Sequence, residues 1–327
     1  MRILITGVAG FIGSHLLSKM LELNFEVYGV DNFSSGKESN IKEFFSNNNF
    51  YFTEGDIRER KFTDKVCKSI DVVIHLAALA DIVPSIETPD DYFSTNVLGT
   101  FNIVESARIN KVNRIIYSAS SSCYGASPVV PTGEQANIDT VYPYALTKYM
   151  GEQLLLHWCQ VYKLSGVSLR LFNVYGLRAR TSGTYGAVFG VFMAQKRAGK
   201  PLTIVGDGKQ QRDFVHVSDV VDAISLALID SDLKGIYNVG TGTPYSINHV
   251  ASLIGGPTVN IPKRPGEPDI TCADIKKIKD EFSWAPKVSI EQGILELKNN
   301  LNDWANAPIW DEKSIEIATK KWFEFLN

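Results

Sequence analysis

The chain opens on Met1-Arg-Ile-Leu-Ile-Thr-Gly7-Val-Ala-Gly10-Phe-Ile-Gly13, an apolar run that passes directly into three glycines spaced three apart. A strand, a glycine turn and a helix in that order constrain the fold more than any other feature, because a doubly wound sheet grips a dinucleotide at such a junction. Gly7 is read as the tight turn, Gly10 as the point where backbone approaches a pyrophosphate, and Gly13 as the close contact of helix on strand. The helix start then offers N–H groups and a positive dipole end to phosphate oxygens. Such a glycine triad is weak evidence alone. Here Phe11, Ile12, Leu16, Leu17, Met20, Leu21 and Leu23 continue as a helical apolar stripe, and Glu26-Val-Tyr-Gly-Val30 reads as a second strand ending at Asp31.

Asp31 selects the cofactor. A carboxylate at that strand end accepts hydrogen bonds from the adenosine ribose hydroxyls and repels a 2′-phosphate, which predicts NAD rather than NADP. The alternative is a turn or N-cap role within Asp31-Asn-Phe-Ser-Ser-Gly36. Gly55-Asp56-Ile57 follows a third strand, Phe50-Tyr-Phe52, and Asp56 either takes the adenine amino group or closes a turn.

With 327 residues the chain is long enough for one large or two modest domains. It carries 33 basic and 36 acidic side chains, a net charge of −3, with no Lys/Arg run, so nucleic acid is not an expected partner. No apolar stretch reaches transmembrane length, so no membrane partner is expected. The first segment contains Thr6, Ser14 and His15 among its glycines and supplies the first strand, so it is not read as a signal peptide. Cys67, Cys123, Cys159 and Cys272 lack metal-ligand spacing. They read as reduced thiols of a cytoplasmic protein, and no metal is expected.

Asp71-Val-Val-Ile-His-Leu76, Arg114-Ile-Ile-Tyr-Ser118 and Val167-Ser-Leu-Arg-Leu-Phe172 are apolar runs of the kind parallel strands covered on both faces produce. Helices are expected near 91–109 and 143–162. After Asn173 the regularity breaks, with Gly and Pro punctuating 176–186, 199–208, 240–244 and 255–268. The expected fold is therefore α/β: a doubly wound parallel (Rossmann) sheet with a smaller mixed α/β lobe. The boundaries predicted are 1–173 plus about 214–243 for the dinucleotide-binding domain, and about 174–213 plus 244–327 for the substrate lobe. In the tail, Asp311 to Phe325, the residues Ile315, Ile317, Ala318, Trp322 and Phe325 recur at roughly helical spacing, which predicts a helix docked on the body.

Tyr144-Ala-Leu-Thr-Lys148 places Tyr and Lys on one face of the helix expected over 143–162. Downstream of a dinucleotide site this pair suits a catalytic tyrosinate. A free Tyr titrates near ~10, and an adjacent ammonium together with a cationic nicotinamide is expected to lower that value. Upstream, Ser118-Ala-Ser-Ser-Ser-Cys-Tyr-Gly125 puts a hydroxyl cluster at the end of the fifth strand, where open α/β sheets bind their ligands. On its own that cluster would read as a turn-forming loop.

Gly7-x-x-Gly10-x-x-Gly13, Asp31-Asn32, His75-Leu-Ala-Ala78, Asn96, the serines ending at Tyr124-Gly125, Tyr144-x-x-x-Lys148, Phe172-Asn-Val-Tyr-Gly176, Gly206-Asp-Gly208, Arg212-Asp-Phe-Val215 and Arg264-Pro-Gly-Glu267 stand in one order along the chain. Together they resemble the extended short-chain dehydrogenase/reductase family, and within it the UDP-glucose and UDP-N-acetylglucosamine 4-epimerases. The resemblance runs from Met1 to about Ile294. It implies Ser120 as the catalytic hydroxyl on the sugar 4-OH, Tyr144 as the base and Lys148 as its partner. It implies NAD contacts at Phe11, Ile12, Asn32, Ser35, Gly36, Asp56, Ile57, Leu76, Ala77, Ala78 and Asn96 beside the glycines and Asp31. For the substrate it implies Ser85, Ser121, Ser122 and Asn173, with Arg212 and Arg264 clamping a diphosphate and Glu267 taking the uridine ribose hydroxyls. Guanidinium forks suit phosphate oxygens, and a carboxylate suits a vicinal diol.

Two departures narrow the implied reaction. Sister 4,6-dehydratases carry an Asp-Glu pair where this chain has Ser121-Ser122, and hydroxyls of ordinary pKa do not replace those acids. UDP-glucuronate decarboxylases usually carry Glu at the Ser122 position. Cys123 stands beside Tyr124 and reads as a buried thiol. The resemblance thus implies an NAD-dependent 4-epimerase of a UDP-sugar, working through a transient 4-keto intermediate. A UDP-glucuronate 4-epimerase or a 4-keto-sugar reductase are the alternatives within the family, and a non-enzymatic dinucleotide-sensing module is the alternative outside it. Thr271 falls where family members guard the sugar pocket, and a small residue there implies room for a 2-acetamido group, hence UDP-GlcNAc and UDP-GalNAc beside UDP-Glc and UDP-Gal. The family also implies a homodimer through the helices near 91–109 and 143–162.

Overall fold

The computed structural model describes residues 1–179, 187–230 and 232–326. Its strands in chain order are β1 (Arg2–Thr6), β2 (Glu26–Asp31), β3 (Phe50–Glu54), β4 (Val72–His75), β5 (Arg114–Ser120), β6 (Ser165–Leu171), β7 (Asn173–Tyr175), β8 (Leu202–Val205), β9 (Gln211–His216), β10 (Gly235–Val239), β11 (Pro244–Ser246) and β12 (Thr258–Ile261). Seven of them form one sheet in the order β10-β6-β5-β4-β1-β2-β3, with every neighbouring pair parallel. The chain builds outward from β1 to β3, then returns to β4 and builds the other way. That reversal between β1 and β4 opens a crevice beyond their carboxyl ends, which is where such sheets bind ligands.

The helices in chain order are α1 (Phe11–Glu22), α2 (Arg60–Val66), α3 (Ile82–Glu87), α4 (Pro89–Tyr92), α5 (Thr100–Ile109), α6 (Pro143–Tyr162), α7 (Val188–Arg197), α8 (Val217–Ile229), α9 (Ile247–Ile254), α10 (Lys276–Phe282), α11 (Ile290–Asn299) and α12 (Glu312–Phe325). Alternate residues of β1 feed opposite faces. Ile3 and Ile5 join Leu16 and Leu17 of α1 and Val221 and Ile224 of α8 in one core. Leu4 joins Ile103 of α5 and Leu155 of α6 in the other. The doubly wound sheet expected from the sequence is what the chain forms. The helix expected near 91–109 differs in detail: between α4 and α5 the stretch Phe93–Gly99 widens to π-helical geometry, a feature frequent near functional sites.

Beyond the main sheet, β9 pairs parallel to β7 and antiparallel to β11, while β12 pairs with β8. Phe192, Ile204, Ile247, Ile294 and Trp304 belong to a separate core under these strands. Within the irregular stretch expected over 176–186, residues 180–186 lie outside the described residues. The tail forms α12, started by a reciprocal cap in which the Asp311 carboxylate accepts from Ser314 N–H and the Asp311 N–H donates to Ser314 Oγ. Its docking face is narrower than expected. Ile315, Thr319 and Trp322 are buried, whereas Ile317 and Phe325 point to solvent, because one helical face holds positions four and three apart and 317 lies off it.

Candidate active site

One cleft of about 690 Å³ runs along the carboxyl ends of the central strands and on to the smaller sheet. Gly7, Gly10, Phe11, Ile12 and Gly13 line it. Gly7 has φ +70°, and a Cβ there would stand 2.9 Å from the Ala77 backbone. A Cβ on Gly13 would run into the Gly7 carbonyl oxygen. Gly10 caps α1 without a side chain, which leaves the helix start open toward the cleft.

Asp31 ends β2 and is nearly buried. Its Oδ2 accepts from Ala9 N–H and its Oδ1 from Phe33 N–H, each at 2.9 Å. Burial raises its pKa, and the amides oppose that rise. The turn role leaves each oxygen a further acceptor site, so it is compatible with a bound ribose hydroxyl. Asn32, Ser35, Asp56, Ile57, Leu76, Ala77 and Ala78 also line the cleft. Asn32 Nδ2–H donates to Asp56 at 3.0 Å. The Arg58 guanidinium binds that same carboxylate at 2.7 Å and, with backbone help, holds its pKa low.

Four expected contacts do not line the cleft: Ser85, Gly36, Asn96 and Lys148. Ser85 is fully buried in α3, and its hydroxyl donates to the Ile82 carbonyl at 2.6 Å; a serine one turn into a helix satisfies itself on its own backbone. Gly36 packs instead on Ala9 and the Asp31 carboxylate, 2.9 Å from where a Cβ would sit. Asn96, inside the π-helical stretch, holds Leu79 from both sides: Oδ1 accepts its N–H at 2.8 Å and Nδ2–H donates to its carbonyl at 3.0 Å. Asn96 thus shapes the loop after β4 without facing the cleft. Behind that loop, Thr6 Oγ1 and Thr100 Oγ1 flank the His75 ring at 2.7 and 3.0 Å.

Ser120 is the last residue of β5, and Pro143 starts α6 at the position where a missing N–H costs nothing. These elements bring the Ser120 hydroxyl beside the Tyr144 phenol, where it favours the charged form, while Ser120 Oγ accepts from Ser122 N–H at 3.2 Å. The protein groups alone raise the Tyr144 pKa; the cationic nicotinamide of the expectation is not among them. Burial raises it, Ser120 opposes the rise, and the Asp81 carboxylate adds to it. Lys148 does not line the cleft; its Nζ rests 4.4 Å over the Tyr117 ring, and burial pushes its ammonium down to about 7. Ser121 and Ser122 line the cleft, and Ser122 Oγ is buried without a hydrogen-bond partner among the described residues. Cys123 is buried, and burial pushes its thiol up to about 12.

At the far end, Asn173, Arg212, Arg264, Glu267 and Thr271 line the same cleft. Glu267 sits between the two guanidiniums, 2.9 Å from Arg264 Nη1 and 3.9 Å from Arg212 Nη2. Arg212 Nη1–H also donates to the Pro268 carbonyl at 2.7 Å. Asn173 Nδ2–H points at Thr271 Oγ1, 3.4 Å away. Lining residues not expected from the sequence include Asp81, Tyr142 and Trp322. Asp81 occupies the N-cap position of α3, but its side chain does not cap the helix. Trp322 reaches the cleft only through long-range packing, which no local pattern reveals.

A doubly wound sheet, a glycine turn, an acid ending β2 and a Ser–Tyr pair with a lysine one helical turn on define an NAD-binding enzyme of the short-chain dehydrogenase/reductase type. The chain belongs to the NAD dependent epimerase/dehydratase family, whose model matches residues 3–240. It is 33% identical to a UDP-glucose 4-epimerase of Mycolicibacterium smegmatis, over 90% of this chain and 96% of that protein. The fold of a UDP-N-acetylglucosamine 4-epimerase from Methanobrevibacter ruminantium, solved with UDP-N-acetylmuramic acid, superposes with a TM-score of 0.86 at 30% identity, over 93% of this chain and 97% of that one. A UDP-glucuronic acid 4-epimerase from Bacillus cereus, solved with UDP-glucuronic acid and NAD, gives a TM-score of 0.86 at 31% identity, over 92% and 99%.

Proposed function

We propose that the protein interconverts C4 epimers of a UDP-sugar, with NAD as resident cofactor. The observation that carries this reading is that one cleft holds two groups: Ser120 beside Tyr144 at the sheet edge and the Arg212–Glu267–Arg264 cluster on the smaller lobe. A nucleotide diphosphate held at the second presents its sugar to the first. The glycine turn would hold the pyrophosphate of NAD, Asp31 its adenosine ribose, and Asp56 and Ile57 its adenine side.

When bound, NAD supplies a hydride acceptor that gives the same hydride back. Tyr144 Oη takes the proton of the sugar 4-hydroxyl, with Ser120 Oγ relaying or fixing it, and returns a proton when the hydroxyl is restored. Lys148, one turn further along α6, favours the phenolate while its amine is charged. Arg212 and Arg264 keep the diphosphate in place while the 4-keto sugar turns over, so that the opposite face is presented. Buried walls around Tyr144 keep bulk water from the ketone. Asp81 disfavours a uronate, since a second carboxylate entering that end of the cleft would be repelled. Thr271 favours N-acetylhexosamines beside plain hexoses.

The test is product analysis after incubating the purified protein with UDP-glucose, UDP-N-acetylglucosamine and UDP-glucuronate. C4 epimers without net accumulation of reduced cofactor are expected, fastest from the neutral sugars. Stoichiometric oxidation or reduction of NAD would instead identify a reductase, and no turnover of any of the three would refute the assignment.

A further inference from the structure

The last helix is built into the substrate end of the cleft. Trp322 of α12 is buried and lines that end. Its indole Nε1–H donates to the Pro265 carbonyl at 2.7 Å, one residue from Arg264. The Arg264 guanidinium carbon stands 5.6 Å from the indole centroid. The Tyr142 ring lies 6.2 Å from the indole, and Tyr142 is itself parallel to Tyr144, with 6.4 Å between centroids and 5° between planes. One side chain therefore touches the arginine expected on the diphosphate and the aromatic next to the expected base.

We propose that Trp322 is a positioning residue for the nucleotide sugar: its ring holds the Arg264 guanidinium ready for the diphosphate and, through Tyr142, sets the span from there to Tyr144. This rests on the nucleotide-sugar reading of the cleft. The argument is one of preorganisation. An arginine ordered only on binding costs affinity, and a platform that orders it beforehand removes that cost. An indole does so without using an N–H donor, because it attracts the face of the guanidinium and leaves its edge for oxygen atoms. Glu267 meets the guanidinium at 2.9 Å, and the ring lies 5.6 Å from its carbon. The backbone hydrogen bond to Pro265 ties the indole to the same loop, so Arg264 and its platform move as one body. Residues that lie far apart in the chain thus form a single binding surface, with α12 as part of the substrate site.

The test is a double-mutant cycle on the NAD-loaded protein, read as UDP affinity by calorimetry and as KM and kcat with the sugar it turns over. Trp322→Leu is expected to weaken UDP by about 10-fold and to raise KM while kcat stays within about twofold. On an Arg264→Met background the same change should cost nothing further. If the leucine variant does not fold with its full NAD content, Trp322→Phe carries the test, with an expected loss of about threefold. Unchanged UDP affinity, or an equal loss with and without Arg264, overturns the inference and leaves the proposed function intact. Failure of the unaltered protein to bind UDP overturns both.

Discussion

Glu152 and Arg170 meet at 2.6 Å with their side chains 1% and 2% exposed. The pair joins α6, which carries Tyr144 and Lys148, to β6 beneath the cleft. Arg170 Nη1–H also donates to Tyr124 Oη at 2.8 Å, and Tyr124 Oη–H donates on to Asn238 at 2.8 Å. Ser168 Oγ–H gives Glu152 a further bond at 2.8 Å. The turn bearing Ser121 and Ser122 is thereby pinned to the helix bearing the expected base. Glu152→Gln leaves a guanidinium buried without its countercharge, and breaking such a pair costs roughly 3–5 kcal/mol. Urea denaturation should show a loss of that order; a loss below about 1 kcal/mol would mean that the network repacks around the change.

Tyr144→Phe removes the hydroxyl that Ser120 meets and keeps the ring that packs edge-on to Tyr92. Turnover should fall roughly 10²–10⁴-fold, with bound NAD and UDP affinity retained. Near-normal turnover would take Tyr144 out of the proton path.

His75 offers a pH signature. The ring is buried, and burial holds its pKa down to about 3, against ~6.5 for an exposed imidazole. The unfolded chain takes up a proton as pH falls through about 6.5 while the folded ring stays neutral, so its contribution is intact above that pH and is lost progressively toward pH 3. By pH 4 this one ring accounts for about 3 kcal/mol. His75→Gln should be weaker at pH 7, having lost bonds to Thr6 and Thr100, yet should lose less stability between pH 7 and pH 4 than the unaltered protein. Parallel losses across that interval would assign the acid sensitivity elsewhere.

Local signals named most of the residues at the glycine-turn end of the cleft, because they come from strand ends and one glycine turn that each have a short sequence pattern. Gly7 and Gly13 meet the steric demands read from their spacing. The motif also named Ser85 and Asn96 as contacts, although each spends its polar atoms on nearby backbone. A pattern fixes which residue occupies a position, whereas the direction of its side chain depends on packing partners far off in sequence. Tyr144 shows the same limit. The i, i+4 spacing predicts that Lys148 acts on the phenol, yet its Nζ rests over the Tyr117 ring, and burial dominates at both groups. Trp322 was legible only as one residue of an amphipathic tail; nothing local links it to Arg264.

The helical run from α4 to α5 leaves Phe93 and Leu98 exposed, and α6 leaves Leu146, Val161 and Tyr162 exposed. Leu155, by contrast, belongs to the core. Two helices with apolar residues on both faces suit an isologous helix pairing between two copies of the chain. Light scattering should give about twice the 36.2 kDa of one chain, and Leu146→Glu with Val161→Glu should shift it to the single-chain mass. A concentration-independent mass of one chain for the unaltered protein would refute the pairing.

Thr271 is where sugar choice is expected to be decided. Its N–H donates to the Gln211 carbonyl at 3.1 Å, which fixes the backbone beside Arg212, and its hydroxyl faces Asn173 across the cleft wall. A residue held by its backbone cannot retreat, so the volume of its side chain sets the room left for the substrate. Thr271→Tyr adds most of an aromatic ring to that wall. Overpacking costs roughly 1–3 kcal/mol, so turnover of UDP-N-acetylglucosamine should fall about 10- to 100-fold, while UDP-glucose, lacking the acetamido group, is spared. Comparing kcat/KM for the two sugars in both proteins checks this directly. If the unaltered protein ignores the N-acetyl sugar, or the tyrosine variant slows both sugars equally, the wall at Thr271 does not discriminate between them.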